Sequence, residues 1–138
     1  MTGASDGHPE LILDVDLPGV ATPPLGELRR SLRKALSHLE TDCVEDAELL
    51  VTELVSNAYD HGRPPIGLRV CQLPDSTLHI DVEDGDRTTL PRLGSSRLGE
   101  DRGRGLLLVT QLSRGWGCVV TTTSKVVWAE LSCRAAQN

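Results

Sequence analysis

Leu11, Leu13, Val15 and Leu17 alternate with mostly polar neighbours, so residues 10–17 read as a half-buried strand ended by Pro18-Gly19. Thr22, followed by Pro23-Pro24, is placed to cap a helix. On a wheel of about 100° per residue, Leu25, Leu28, Leu32, Ala35, Leu36 and Leu39 form one stripe. Arg29, Arg30, Arg33 and Lys34 take the remaining face. A second helix is predicted from near Asp42 to about His61, with Val44, Ala47, Val51, Leu54, Val55 and Ala58 as its core stripe. Gly62 is its C-cap and Pro64-Pro65 its stop. Alternation then predicts strands over 66–73 and 77–83, with Pro74-Asp75-Ser76 turning between them. Residues 84–104 have no period. A third helix begins around Arg104, includes Leu106, Leu108, Val109 and Leu112, and is broken by Gly115-Trp116-Gly117. Strands over 117–123 and 126–132, joined at Ser124-Lys125, complete the chain.

The order of these elements is not the repeating strand–helix alternation of a doubly wound sheet. It predicts an α+β fold, a two-layer α/β sandwich. About five strands form a mixed, mostly antiparallel sheet with one wet face, and three helices cover the other face. Residues 1–9 are expected to be a disordered tail and residues 10–134 one domain.

Composition narrows the picture. The 138 residues are 38 % apolar with only 2 % aromatic and no Phe, so the core is built from Leu, Val, Ile and Ala. The first residues hold no apolar segment of signal-peptide type and no long apolar run follows, which predicts a cytoplasmic protein away from the membrane. Cys43, Cys71, Cys118 and Cys133 are far apart and show no metal-binding spacing. The net charge of −6 disfavours direct nucleic-acid binding. Its distribution is uneven: residues 1–62 carry twelve acidic and four basic side chains, while residues 87–104 carry five Arg against Glu100 and Asp101. One local basic loop in an acidic protein suits a small polyanion.

Three stretches carry chemistry. Glu53, Asn57 and His61 recur every four residues and form a row at the border of the second helix's apolar stripe. There a carboxylate and a carboxamide one turn apart can share a hydrated Mg²⁺, which needs few protein ligands; the same row also suits a solvated helix face with Asn57 bonded to backbone. Strand parity turns Asp84 to the side of Ile80 and Val82, the core side, where a carboxylate needs donors. An amine-bearing ligand such as adenine could be one, with Gly85 letting it approach the backbone, although an Asp-Gly turn is also an ordinary structural element. In Asp101-Arg102-Gly103-Arg104-Gly105-Leu106, two glycines and a helix start offer backbone N–H groups to an anion, and two arginines add charge-assisted bonds.

In order and spacing, Glu53-x-x-x-Asn57-Ala58-x-x-His61-Gly62, Asp84-Gly85 and Gly103-Arg104-Gly105-Leu106 resemble the three nucleotide-binding boxes of the GHKL ATP-binding superfamily. The similarity is strongest to its short bacterial branch, related to anti-sigma-factor serine kinases. The tail from Gly115-Trp116-Gly117 to Val127-Trp128-Ala129 looks like that branch too. The resemblance implies the Bergerat ATP-binding fold, with Glu53 as general base or as the group orienting the attacking hydroxyl. It implies Asn57 on Mg²⁺ (with Glu53 through water), Asp84 on the adenine amine, and Gly103 and Gly105 exposing N–H groups to phosphate. Gly85, Arg102, Arg104 and Leu106 complete the ATP-binding set, with His61 and Lys125 as further candidates and an ATP lid over about 85–104. The chain departs from the family after Asp84-Gly85, where Asp86-Arg87-Thr88 lacks the usual later glycines, and at Ser124, where a Gly often precedes the basic residue of the last hairpin.

The leading expectation is an ATP- and Mg²⁺-dependent protein serine/threonine kinase. The resemblance implies that it phosphorylates a small anti-sigma-factor antagonist, alternates this with holding a sigma factor, and works as a homodimer. A nucleotide-sensing module that binds ATP without transfer is the alternative. A histidine-kinase catalytic domain ranks third, since the chain has no room for a phosphoacceptor helical hairpin.

Overall fold

A computed structural model of the chain describes residues 8–89 and 107–137. Five strands and two long helices follow in the order β1 (Glu10–Leu17), α1 (Leu25–Ala35), α2 (Thr41–His61), β2 (Ile66–Gln72), β3 (Leu78–Asp84), β4 (Gly115–Val120) and β5 (Lys125–Leu131). Residues 107–112 are helical as well. The sheet order is β1-β2-β3-β5-β4, and all four pairings among the described residues are antiparallel, where a mixed, mostly antiparallel sheet was expected.

Parity explains the layers. On β3, Leu78, Ile80, Val82 and Asp84 are buried, while His79, Asp81 and Glu83 between them lie half-buried on the opposite face. The register carries this across the sheet, setting Ile80 beside Val70 and Ala129, and Val82 beside Leu68 and Val127. Over these rows lies α2, whose Ala47, Leu50, Val51, Leu54, Val55 and Ala58 are buried. Burying each of the Leu and Val side chains supplies roughly 1.5–3 kcal/mol before chain entropy is counted. On the other face His79 stacks on Trp128, ring centroids 5.6 Å apart, and its Nδ1 is 2.9 Å from Glu130 Oε2.

Three local expectations are corrected. Thr22 does not cap α1: Pro24 stands at the N-cap position without a side-chain bond, and the first turn closes through Leu28 N–H to the Pro24 carbonyl at 3.1 Å. A register shift between Leu11 and Leu13 turns Leu11 to the open face, 54 % exposed, because an extra residue flips the side of everything beyond it. Strand β4 begins at Gly115 instead of Gly117, since Gly115 and Trp116 find partners in Glu130 and Ala129. Leu39 lies past the end of α1 but is still buried.

Among the described residues, all four cysteines are free thiols, no group of three or more His, Cys, Asp or Glu side chains could hold a metal ion, and no helix is long and apolar enough to cross a membrane.

Candidate functional site

The site is built where the end of α2 meets the end of β3. Gly62 closes α2 by donating its N–H to the Ala58 carbonyl at 2.8 Å. Its φ of −99° is open to any residue, so a left-handed turn is not the reason for glycine here. A β-carbon at Gly62 would stand 2.5 Å from Cγ of Asp84; glycine is required by that close approach. The row of Glu53, Asn57 and His61 rises from this contact along α2, and all three are half-buried, as expected for the border of an apolar stripe. The structure therefore gathers His61, Asp84 and Gly85 at one end, with Asn57 and Glu53 one and two turns further up the helix.

Asp84 is only 1 % exposed, as strand parity requires. Its donors come from its own chain: Oδ1 accepts the Asp86 N–H at 2.8 Å and the Arg63 N–H at 3.4 Å, and Oδ2 faces Nζ of Lys125 at 3.6 Å. The space beside Gly85 is likewise filled internally. A β-carbon there would lie 2.7 Å from the Pro64 carbonyl oxygen, so this glycine admits Pro64 to the backbone where a ligand was expected. Sequence reasoning set Lys125 in a turn. It is the first residue of β5 and pairs with Asp84 across the β3–β5 ladder. The signal for this was its parity with Val127, Ala129 and Leu131, all buried on the core face.

The segment after β3 is held down over residues 85–89. Asp86 Oδ1 accepts the Thr88 N–H and hydroxyl at 2.9 and 2.7 Å, and these bonds, with those to Thr89, pull its carboxyl well below the ordinary range. Arg87 Nε donates to the Thr121 carbonyl at 2.9 Å, and Lys125 donates to the Thr89 carbonyl. Ser124 Oγ donates to Glu83 Oε2 at 2.5 Å beside them. Arg102, Gly103, Arg104, Gly105 and Leu106, and the expected lid from residue 90 on, lie outside the described residues.

The donor set fits a nucleotide carrying Mg²⁺. Asn57 offers a half-buried carboxamide one turn from a carboxylate, and a Mg²⁺ that takes most of its ligands from water and phosphate needs no larger cluster.

Residues 22–129 match the histidine kinase-like ATPase domain family. Among solved structures, the chain is similar to the RsbU and RsbW domains of Rv1364c from Mycobacterium tuberculosis, with a TM-score of 0.65 and 17 % identity over 91 % of this chain and 33 % of that one. It is also similar to the histidine kinase domain of the Erythrobacter litoralis EL346 blue-light activated histidine kinase, with a TM-score of 0.51 and 20 % identity over 78 % of this chain and 62 % of that one. The chain thus spans a third of the first and under two thirds of the second, and at these identities the likeness is one of fold. No curated protein matches the chain.

Proposed function

The chain belongs to the histidine kinase-like ATPase domain family, and from that premise we propose that it binds ATP with Mg²⁺ between α2 and the segment after β3, and transfers phosphate to a serine or threonine of a partner protein. The observation that carries the reading is the half-buried row of Glu53 and Asn57 on a helix whose end packs directly on buried Asp84.

Phosphoryl transfer asks the protein for positioning and charge neutralisation more than for covalent chemistry. ATP supplies the phosphoryl group. Glu53 would accept or orient the proton of an incoming hydroxyl from the lip of the core, where solvent access is limited. Asn57 would hold the metal through its carboxamide oxygen, and Asp84 would face the base. Arg102, Gly103, Arg104, Gly105 and Leu106 would receive the phosphates through backbone N–H groups and guanidinium forks.

The partner of this reading is a small anti-sigma-factor antagonist, with a sigma factor as the alternate partner, a homodimer as the working unit and the cytoplasm as its place. A module that senses ATP without transferring phosphate is the competing reading. The experiment is co-purification of partners from the native host followed by incubation with γ-labelled ATP. Label on a serine of a co-purified partner supports the kinase. Tight ATP binding with no labelled partner replaces the kinase by the sensing module.

A further inference from the structure

Asp84 and Lys125 face each other across the β3–β5 ladder with side chains 1 % and 4 % exposed, Oδ2 to Nζ at 3.6 Å. Lys125 also donates to the Thr89 carbonyl, and the second carboxylate oxygen is taken by the N–H groups of Asp86 and Arg63. The carboxylate thus has hydrogen-bond donors from its own chain on Oδ1 and a full ammonium facing Oδ2. A buried ion pair is seldom more stable than an apolar pair of the same volume, so stability alone gives little reason for a lysine at a position otherwise continued by Val127 and Ala129.

We infer that Lys125 is a specificity-determining residue of the nucleotide site, its ammonium holding the acceptor through which Asp84 would select a base with an exocyclic amine. The inference rests on the nucleotide reading above. Nζ stands 3.6 Å from Oδ2, an ion pair beyond hydrogen-bond length, so a base amine that takes Oδ2 from it gains a neutral bond and strands a buried cation. An ammonium has three donors and no acceptor. With one of them on the Thr89 carbonyl, the others suit a carbonyl oxygen on a base and offer nothing to an amine. While Lys125 is in place, a 6-aminopurine gains nothing over a 6-oxopurine.

The test is the affinity of the full chain for ATP and for ITP, which differ only in the amine or carbonyl at C6, measured by calorimetry with Mg²⁺ present. Wild type should bind the two within about threefold of each other. Lys125→Met keeps the length and removes the charge, freeing Asp84, and should prefer ATP by about tenfold or more, because a site that bonds a donor rejects the analogue without it. In Asp84→Asn/Lys125→Met the pair is neutral and the ratio should return to within about threefold. An ATP preference of about tenfold in wild type overturns the inference, and so does a Met variant whose ratio is that of wild type. Should Lys125→Met fail to fold, with Asp84 left unpaired, the wild-type ratio decides by itself. If neither nucleotide binds either protein, the nucleotide reading falls together with the inference, whereas binding with an unchanged ratio overturns Lys125 alone.

Discussion

Gly62 lies against Asp84 with no room between them: a β-carbon on the glycine would stand 2.5 Å from Cγ of the aspartate and 2.6 Å from the carbonyl oxygen of Ala58. One of these neighbours is backbone of α2 and the other a buried carboxylate held on both oxygens, so neither yields easily. Gly62→Ala should therefore destabilise the fold by about 1–3 kcal/mol in urea unfolding, the usual cost of overpacking. It should also weaken ATP binding, because the group that moves is Asp84. A variant with wild-type stability and affinity would show that the contact between helix and strand constrains nothing.

Much of this arrangement was legible in the chain, and the limits are physical. Alternation located β1, β2 and β3, and the parity of Ile80 and Val82 turned Asp84 inward, as its 1 % exposure shows. Periodicity placed α2 from one end to the other, and with it the border row of Glu53, Asn57 and His61. What local pattern does not contain is which strand pairs with which. Lys125 becomes the partner of Asp84 only because β5 inserts between β3 and β4, and a pattern of period two is silent about neighbours. Gly115 and Trp116 show the same limit: propensity reads a break there, and cross-strand pairing makes a strand. The purpose of Gly62 was likewise hidden, since a C-cap glycine suggests a left-handed turn and the reason is a neighbour distant in sequence.

The metal role of Asn57 is open to a thermal test. ATP with Mg²⁺ should raise the melting temperature, a ligand at one hundred times its Kd adding about 2.7 kcal/mol to the native state. Asn57→Ala should retain the part of the shift seen with ATP alone and lose the part added by Mg²⁺. A variant whose shift responds to Mg²⁺ as wild type does assigns the metal to other residues.

For Glu53 the decisive comparison is between binding and transfer. Glu53→Gln keeps the volume and one acceptor oxygen, so ATP affinity should stay near wild type while phosphate transfer to a co-purified partner falls by roughly 10²–10⁴-fold. Loss of ATP binding in this variant would make Glu53 a structural residue and remove it from the chemistry.

On the open face, the Asp81 carboxylate predicts a pH effect. Its Oδ1 is shut off from solvent with Nε of Arg69 at 3.6 Å, too far for a hydrogen bond, and burial pushes the carboxyl above its ordinary range while Arg69 and His79 pull it back. A carboxyl raised in the folded state contributes stability that is complete below the unfolded value of about 3.9 and is lost as pH rises through the folded value. At neutral pH the ionised group is therefore a net burden. Asp81→Asn should stabilise the protein there by on the order of 0.5 kcal/mol, a figure kept small because water reaches part of the group. The gain should vanish as pH falls below about 3.9. Urea unfolding of both proteins across that range measures it, and a variant less stable than wild type at neutral pH would mean that the Arg69 pair outweighs burial.

The strand order has a consequence for how this protein can change over evolutionary time. The chain leaves the sheet at the end of β3, an interior strand, and rejoins it at β4, on the rim, before β5 turns back to close the gap. The connection from β3 to β4 thus joins two strands that are not neighbours in the sheet, and among the described residues it adds no strand of its own. Lengthening such a connection costs only about 0.6 kcal/mol per doubling and leaves every register intact. A change of length in this connection therefore leaves the pairing of Asp84 with Lys125 in place, whereas a single added residue in β5 would tear Lys125 from Asp84.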